Sequence, residues 1–177
     1  LAAAVQLRGA TLHLSSAVRE ITPKETGGIT LHTPQGAFDY DAVLSTTSPR
    51  LMTRLTPALP PDYLAQLNAL KSMGAVVMVL SLKQQLSEKG YYWHNLPKDA
   101  GFPFLAMCEH TNFVSPEHFG GDHLIYCGDY LEADHEYFKF SVDELLDRFA
   151  PSLARFNAKF DRSWIKKAWL FHETYAQ

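Results

Sequence analysis

Residues Met73 to Leu82 read MGAVVMVLSL, a stretch rich in valine and apolar but for Ser81. It falls well short of the ~20 apolar residues that cross a bilayer as a helix. Its composition predicts a strand buried on both faces, and such a strand requires a sheet with cover on each side. Three further segments have strand composition: Phe104 to His110, His123 to Leu131 (HLIYCGDYL) and Trp164 to Phe171 within Ser163 to Tyr175. They do not alternate regularly with helical patterns. All four are therefore expected in one mostly antiparallel sheet, with Tyr91 to Asn95 as a shorter strand.

The helices announce themselves by their caps. Ser48 before Pro49 opens a short helix (SPRLMTRL), proline being pre-set for the first helical position. Pro60-Pro61 introduces another, with Leu64, Leu67 and Leu70 on one stripe. Ser141-Val142-Asp143-Glu144 is a capping box, with Phe140 and Leu145 placed as a hydrophobic staple. That helix runs through Leu146, Phe149 and Leu153, and Pro151 is expected to break or kink it. Nearer the start, Thr11 to Leu14 and Ala17 to Ile21 read as short strands. Ile29, Leu31 and Thr33 alternate with Thr30 and His32, and Phe38 to Ser45 returns through the buried strand DAVLST. Turns at Thr26-Gly27-Gly28 and Pro34-Gln35-Gly36 make these a meander. The fold class is α+β: a mostly antiparallel sheet flanked by helices, preceded by a small β-meander.

With 177 residues, 46% of them hydrophobic, the chain is long enough for a real core. Its net charge of −3 and the lack of any large Lys/Arg cluster argue against nucleic acid as a partner. Cys108 and Cys127 lie inside strand segments without CxxC or zinc spacing. Two buried thiols in a reducing, cytoplasmic compartment fit best. Leu1 to Arg8 reads as the tail of a helix stopped by Gly9. The other end stops just after a strand. This pattern is expected of a piece cut from a longer protein.

The chemistry is marked largely by absence. No GxGxxG fingerprint, GxxxxGK[ST] loop or GxSxG elbow occurs. His118 and His123, with Glu117 and Asp122, lack metal-site spacing, so no metal is expected. Five residues put polar tips on otherwise apolar strands: Tyr92, Trp93, Glu109, His110 and Tyr126. A tip on the core side needs a partner or a cavity, which makes the five candidates for a substrate pocket. Alternation sends neighbouring strand residues to opposite faces, so Tyr92 and Trp93 cannot both line it, nor Glu109 and His110.

The order of the pieces resembles a stretch of the flavin amine oxidase superfamily, which includes phytoene desaturases and protoporphyrinogen oxidases. The resemblance rests on Gly9-Ala10 through Val18-Arg19-Glu20-Ile21, on Tyr40-Asp41-Ala42-Val43-Leu44-Ser45-Thr46-Thr47-Ser48-Pro49, on Leu59-Pro60 to Leu82, and on Tyr175-Ala176-Gln177. It implies that residues 1–49 are part of an FAD-binding domain and 50–177 a substrate-binding domain. The dinucleotide fingerprint would lie before Leu1 and the last flavin-contacting segment beyond Gln177. It further implies that the backbone at Val18 meets the adenine of FAD and that Ser45 and Thr46 end a strand close to the cofactor. The whole protein would be an FAD-dependent oxidoreductase acting on a small apolar or amine-type substrate, and this piece alone would be inactive. The alternative is a non-enzymatic α+β module that binds a lipid-like ligand or a partner protein.

Overall fold

The computed structural model describes residues 1–176. Gln177, the end of the Tyr175-Ala176-Gln177 segment, lies outside the described residues. The chain divides into two compact units, Leu1–Lys71 and one starting at Ser72.

The first unit holds α1 (Ala2–Leu7), a three-stranded meander of β1 (Glu20–Pro23), β2 (Ile29–Thr33) and β3 (Gly36–Tyr40), then α2 (Pro49–Leu55) and α3 (Pro61–Ala69). Gly9 ends α1 as expected: at φ +90° it takes the left-handed turn that other residues avoid. The meander is antiparallel in the order β1-β2-β3, with Ile21 opposite Leu31 and Leu31 opposite Phe38. Ser48 caps α2 by accepting from the Leu51 N–H at 3.3 Å.

Three expectations fail here. Thr11 to Leu14 forms no strand, and the first strand starts only at Glu20. DAVLST is irregular rather than a buried strand, because β3 ends at Tyr40 and Leu44 is 90% exposed. Strands exist by pairing their backbone groups, and among the described residues none lies beside residues 41–46. Leu70 caps the end of α3 and is exposed, so the stripe keeps only Leu64 and Leu67 half-buried.

The second unit is a five-stranded sheet in the order β5-β6-β7-β4-β8, antiparallel at every joint. The strands are β4 (Gly74–Leu82), β5 (Trp93–Asn95), β6 (Ala106–Glu109), β7 (His123–Leu131) and β8 (Ile165–Glu173). Its one α-helix among the described residues is α4 (Val142–Leu153). The capping box is complete: the Glu144 N–H donates to Ser141 Oγ at 3.3 Å and the Ser141 N–H to Glu144 Oε2 at 2.8 Å. That bond stabilises the charged form of Glu144 and holds its pKa below the usual carboxylate range. Pro151 does not break α4, which ends two residues later in any case. Replacing Ser141 with alanine should cost ~1 kcal/mol, the usual worth of an N-cap. Comparing urea midpoints of the two proteins checks it, and an unchanged midpoint would contradict it.

The core lies between α4 and one face of the sheet. Val76, Met78, Leu80 and Leu82 of β4, Ile125 and Cys127 of β7 and Met107 of β6 meet Leu145, Phe149 and Leu153, all of them buried. Phe149 packs edge-on against Phe104 at 5.0 Å and Tyr137 at 5.7 Å between ring centres. β4 is thus not buried on both faces as its sequence suggests. Ala75, Val77 and Val79 alternate with the core residues and remain half-exposed. Gly74 is required by its neighbours: a Cβ there would stand 2.4 Å from Phe138 Cζ and 2.8 Å from the Glu173 carbonyl oxygen.

Candidate functional site

The pleat of the second unit sorts its side chains into two sets. On the face away from the core, Trp93, Cys108, Tyr126, Val79 and Trp169 form one row across all five strands. The next row is Asn95, Ala106, Gly128, Val77 and Phe171. Small residues in the second row leave a hollow of ≈ 200 Å³ whose lining includes Ala75, Ala106 and Gly128, with Trp93, Leu105 and Tyr130 around it. Gly128 cannot readily be larger, since a Cβ would stand 3.1 Å from the Val76 carbonyl oxygen and 3.3 Å from Val77 Cγ2. A shallower apolar groove continues over Val77, Val79 and Tyr126 to Trp169 and Phe171.

The five pocket candidates divide. Trp93 and Tyr126 share this open face through the row above. Tyr92 precedes β5 and so escapes strict alternation: its hydroxyl neighbours the Cys108 thiol, and its ring contacts Phe113 at 5.3 Å. The contact with Cys108 raises the Tyr92 pKa, and burial pushes the Cys108 thiol up. His110 begins a 3₁₀ turn after β6 and lays its ring against Tyr126 at 5.5 Å and Phe119 at 5.4 Å.

Glu109 goes the other way, contrary to the expectation that it approaches the pocket. It shares the parity of Met107, is 2% exposed on the core side, and bonds His94 Nε2 at 2.9 Å. The Ser87 N–H donates to both carboxylate oxygens, at 3.1 and 3.2 Å. The physical reason is satisfaction: a buried carboxylate persists where donors surround it. Here they come from the 83–90 connection and from β5.

The residues after Glu109 form a corner rather than a catalytic pair. Thr111 Oγ1 accepts from the Leu124 N–H at 3.0 Å, and Asn112 Nδ2 donates to the Tyr91 carbonyl oxygen at 2.9 Å. The 3₁₀ turns within 110–119 and the strand ends they brace hold His110 beside Tyr126. Among the described residues no three His, Cys, Asp or Glu side chains gather as metal ligands. Both cysteines are free and buried, and burial pushes the Cys127 thiol far up. No helix of the described residues is long and apolar enough to cross a membrane.

The three candidate cofactor residues belong to the first unit. Val18 is half-buried just before β1, and Ser45 and Thr46 lie in the irregular stretch after β3. Ser45 Oγ is 2.8 Å from Thr47 Oγ1 and accepts from the Thr47 N–H at 3.4 Å. Sequence reasoning missed Cys108 and the small floor residues Ala75, Ala106 and Gly128. Their signal is a set of small side chains at alternate strand positions, which gains meaning only when the strand register aligns them.

Comparison with known proteins places this architecture. An oxidoreductase from Methanosarcina mazei matches with a TM-score of 0.69 at 14% identity, over 98% of this chain and 41% of its own. Reduced UDP-galactopyranose mutase matches with a TM-score of 0.69 at 14% identity, over 94% of this chain and 36% of that one. Putrescine oxidase bound to putrescine matches with a TM-score of 0.64 at 15% identity, over 94% and 36%. The chain therefore spans well under half the length of these structures, and the likeness is one of fold. No curated protein sequence matches the chain. The family model described as flavin containing amine oxidoreductase matches residues 1–171. Those residues take in the meander, the open-faced sheet and nearly all of β8, and on that match the chain belongs to the flavin-containing amine oxidoreductase family.

Proposed function

We propose that this chain is part of an FAD-dependent oxidoreductase, with residues 1–49 contributing to the FAD-binding domain and 50–177 forming the substrate-binding domain. The observation that carries the reading is the open face of the five-stranded sheet. It is an apolar wall with a hollow, backed by a complete core on its other side. A wall of that kind suits a substrate pocket beside a flavin, apolar over most of its area with a few polar tips to orient the ligand.

The residues present fit one part of a flavin site. Backbone groups of residues 41–46 are not tied into a ladder, and the hydroxyls of Ser45 and Thr46 lie among them. A stretch of that kind can hydrogen-bond the polar parts of a dinucleotide, and the half-buried Val18 can pack beside an adenine. A pyrophosphate cradle of glycine turn and helix N-terminus is not among the described residues. In the bound state the flavin supplies the hydride chemistry. The chain's own share is to bind, orient and keep water out. Val77, Val79 and Gly128 give apolar contact, Trp93 and Tyr126 give aromatic walls, and His110 is held at the Tyr126 edge.

The visible spectrum tests this. The full-length gene product is expected to purify yellow with about one flavin per chain, while residues 1–177 expressed alone should be colourless. A colourless full-length protein would favour the non-enzymatic module. A stoichiometric flavin on the 177-residue chain would show that the cofactor is held elsewhere than proposed.

A further inference from the structure

We infer that His94 and Glu109 are positioning residues for the hollow: their contact on the core side of the sheet fixes the roll of β5 and, through it, the place of the Trp93 ring on the open face. The inference rests on the proposal that this face is the substrate side, and names what holds it in shape.

Little else holds the strand. β5 has three residues and lies at one end of the strand order. Among the described residues it pairs only with β6: Trp93 with Cys108, His94 with Met107 and Asn95 with Ala106. A ladder on one side fixes the spacing of two strands but leaves a short edge strand free to roll about its own axis and to open locally. The Trp93 side chain does not supply the missing hold. Its indole N–H donates to Asn95 Oδ1 at 2.9 Å. That bond lies within β5, so it sets the ring relative to the strand and turns with it. Trp93 is also 53% exposed, so packing restrains it on one side at most.

The restraint comes from beneath. Neighbouring strand residues point to opposite faces, so Trp93 on the open face puts His94 on the core side. There the His94 side chain is 12% exposed, its ring stands edge-on to Phe156 at 5.1 Å, and its Nε2 lies 2.9 Å from Glu109 Oε1. Glu109 is itself held, because the Ser87 N–H donates to both of its carboxylate oxygens. Ser87 is held in turn: Asn157 Nδ2 donates to the Leu86 carbonyl oxygen and Gln85 Nε2 to that of Ser87. Two further bonds tether the backbone ahead of β5. The Glu109 N–H donates to the Tyr92 carbonyl oxygen at 2.7 Å, and Asn112 Nδ2 to that of Tyr91. Both act close to the strand axis. The imidazole–carboxylate bond acts at the end of a side chain, away from that axis, and is the one that resists roll.

Trp93 and His94 stand on opposite sides of the same axis. A roll that carries His94 out of reach of Glu109 therefore swings the indole through the same angle. Trp93 lines the hollow with Leu105, Ala106 and Cys108, so the swing changes the hollow's width. His94 and Glu109 act on it through the strand, without touching what binds there.

The test uses the full-length protein grown with 5-fluorotryptophan and read by fluorine NMR, the Trp93 line being assigned by its loss in Trp93→Phe. Trp164 and Trp169, beside and within β8 at the opposite edge of the sheet, serve as references. His94→Phe keeps a ring against Phe156 and drops the donor. His94→Asn keeps a polar group too short to reach the carboxylate, and His94→Gln restores both donor and reach. In His94→Phe and His94→Asn the Trp93 line is expected to shift and to broaden about twofold or more, as an edge strand freed to open does on the μs–s scale, while both reference lines stay in place. His94→Gln should return it toward the wild-type position. A merely stabilising contact would lower the melting temperature and leave the native-state line where it was. A Trp93 line unchanged in either folded variant would overturn the inference. So would a failure of His94→Gln to restore it, or loss of folding in both other variants, which would mean that the contact supports the whole unit rather than the ring. The visible spectrum of the same samples separates the two levels: a flavin-containing protein whose Trp93 line ignores His94 refutes this inference alone, whereas a protein without flavin refutes the function proposed above.

Discussion

Replacing Glu109 with alanine is expected to destabilise the second unit by about 2–5 kcal/mol, since two buried groups lose their hydrogen-bond partner at ~1–3 kcal/mol each. The carboxylate is 2% exposed and collects the His94 imidazole at 2.9 Å and the Ser87 N–H on both oxygens. Removing it leaves two hydrogen-bonding groups from different stretches of chain without their partner, and the His94 ring then stands against Phe156 at 5.1 Å and Tyr91 at 6.3 Å. Glu109→Gln keeps an acceptor and should lose clearly less. Urea unfolding of the wild type, both Glu109 variants, His94→Ala and the double variant closes a cycle that isolates the pair. A Glu109→Ala protein within 1 kcal/mol of wild type would mean the contact contributes little, by the ordinary standard of exposed ion pairs at about 0–1 kcal/mol.

Phe149→Ala should cost a similar amount, about 3–5 kcal/mol for a large aromatic removed from a closed core. Phe149 has no exposed surface, and its ring touches those of Phe104 and Tyr137 while α4 lies on the sheet. Three elements meet at that side chain, so partial collapse of the cavity would have to move all of them. Thermal unfolding should show a single lowered transition. If the loss is under 1 kcal/mol, the space under α4 is more yielding than its rings suggest.

How far the sequence discloses this molecule depends on whether a feature is local. Caps were readable because their atoms are neighbours in the chain: Ser48 with Leu51, Ser141 with Glu144. So were β7 and the antiparallel character of the main sheet, since strand composition and the lack of βαβ alternation are both visible along the chain. Two-faced burial of β4 does not follow from its composition, because its half-exposed residues, Ala75, Val77 and Val79, are as apolar as its buried ones. Composition cannot separate a core face from an apolar wall. DAVLST departs from its strand composition for a related reason: strand propensity is a statement about pairing, and no partner lies beside it among the described residues.

The candidate site was legible as residue types and illegible as geometry. Tyr92, Trp93, His110 and Tyr126 stand out in the sequence as polar tips, but which face each takes depends on the register of β5 on β6 and β6 on β7. Glu109 stands out by the same logic and answers a different need. Its donors are Ser87, 22 residues earlier, and His94, 15 residues earlier, and no spacing rule joins them.

The sheet's alternation has a consequence for how such a protein changes over generations. Along β4, integrity is written at Val76, Met78 and Leu80, whereas Ala75, Val77 and Val79 shape the open face. Point substitutions can therefore explore the second set while the first stays fixed, and a lineage can reshape its open face without passing through an unfolded ancestor. Single-residue insertions or deletions have no such freedom, because a slip of one position exchanges the two sets at once. Divergence within this strand should accumulate as substitutions at every other codon, with its length held constant.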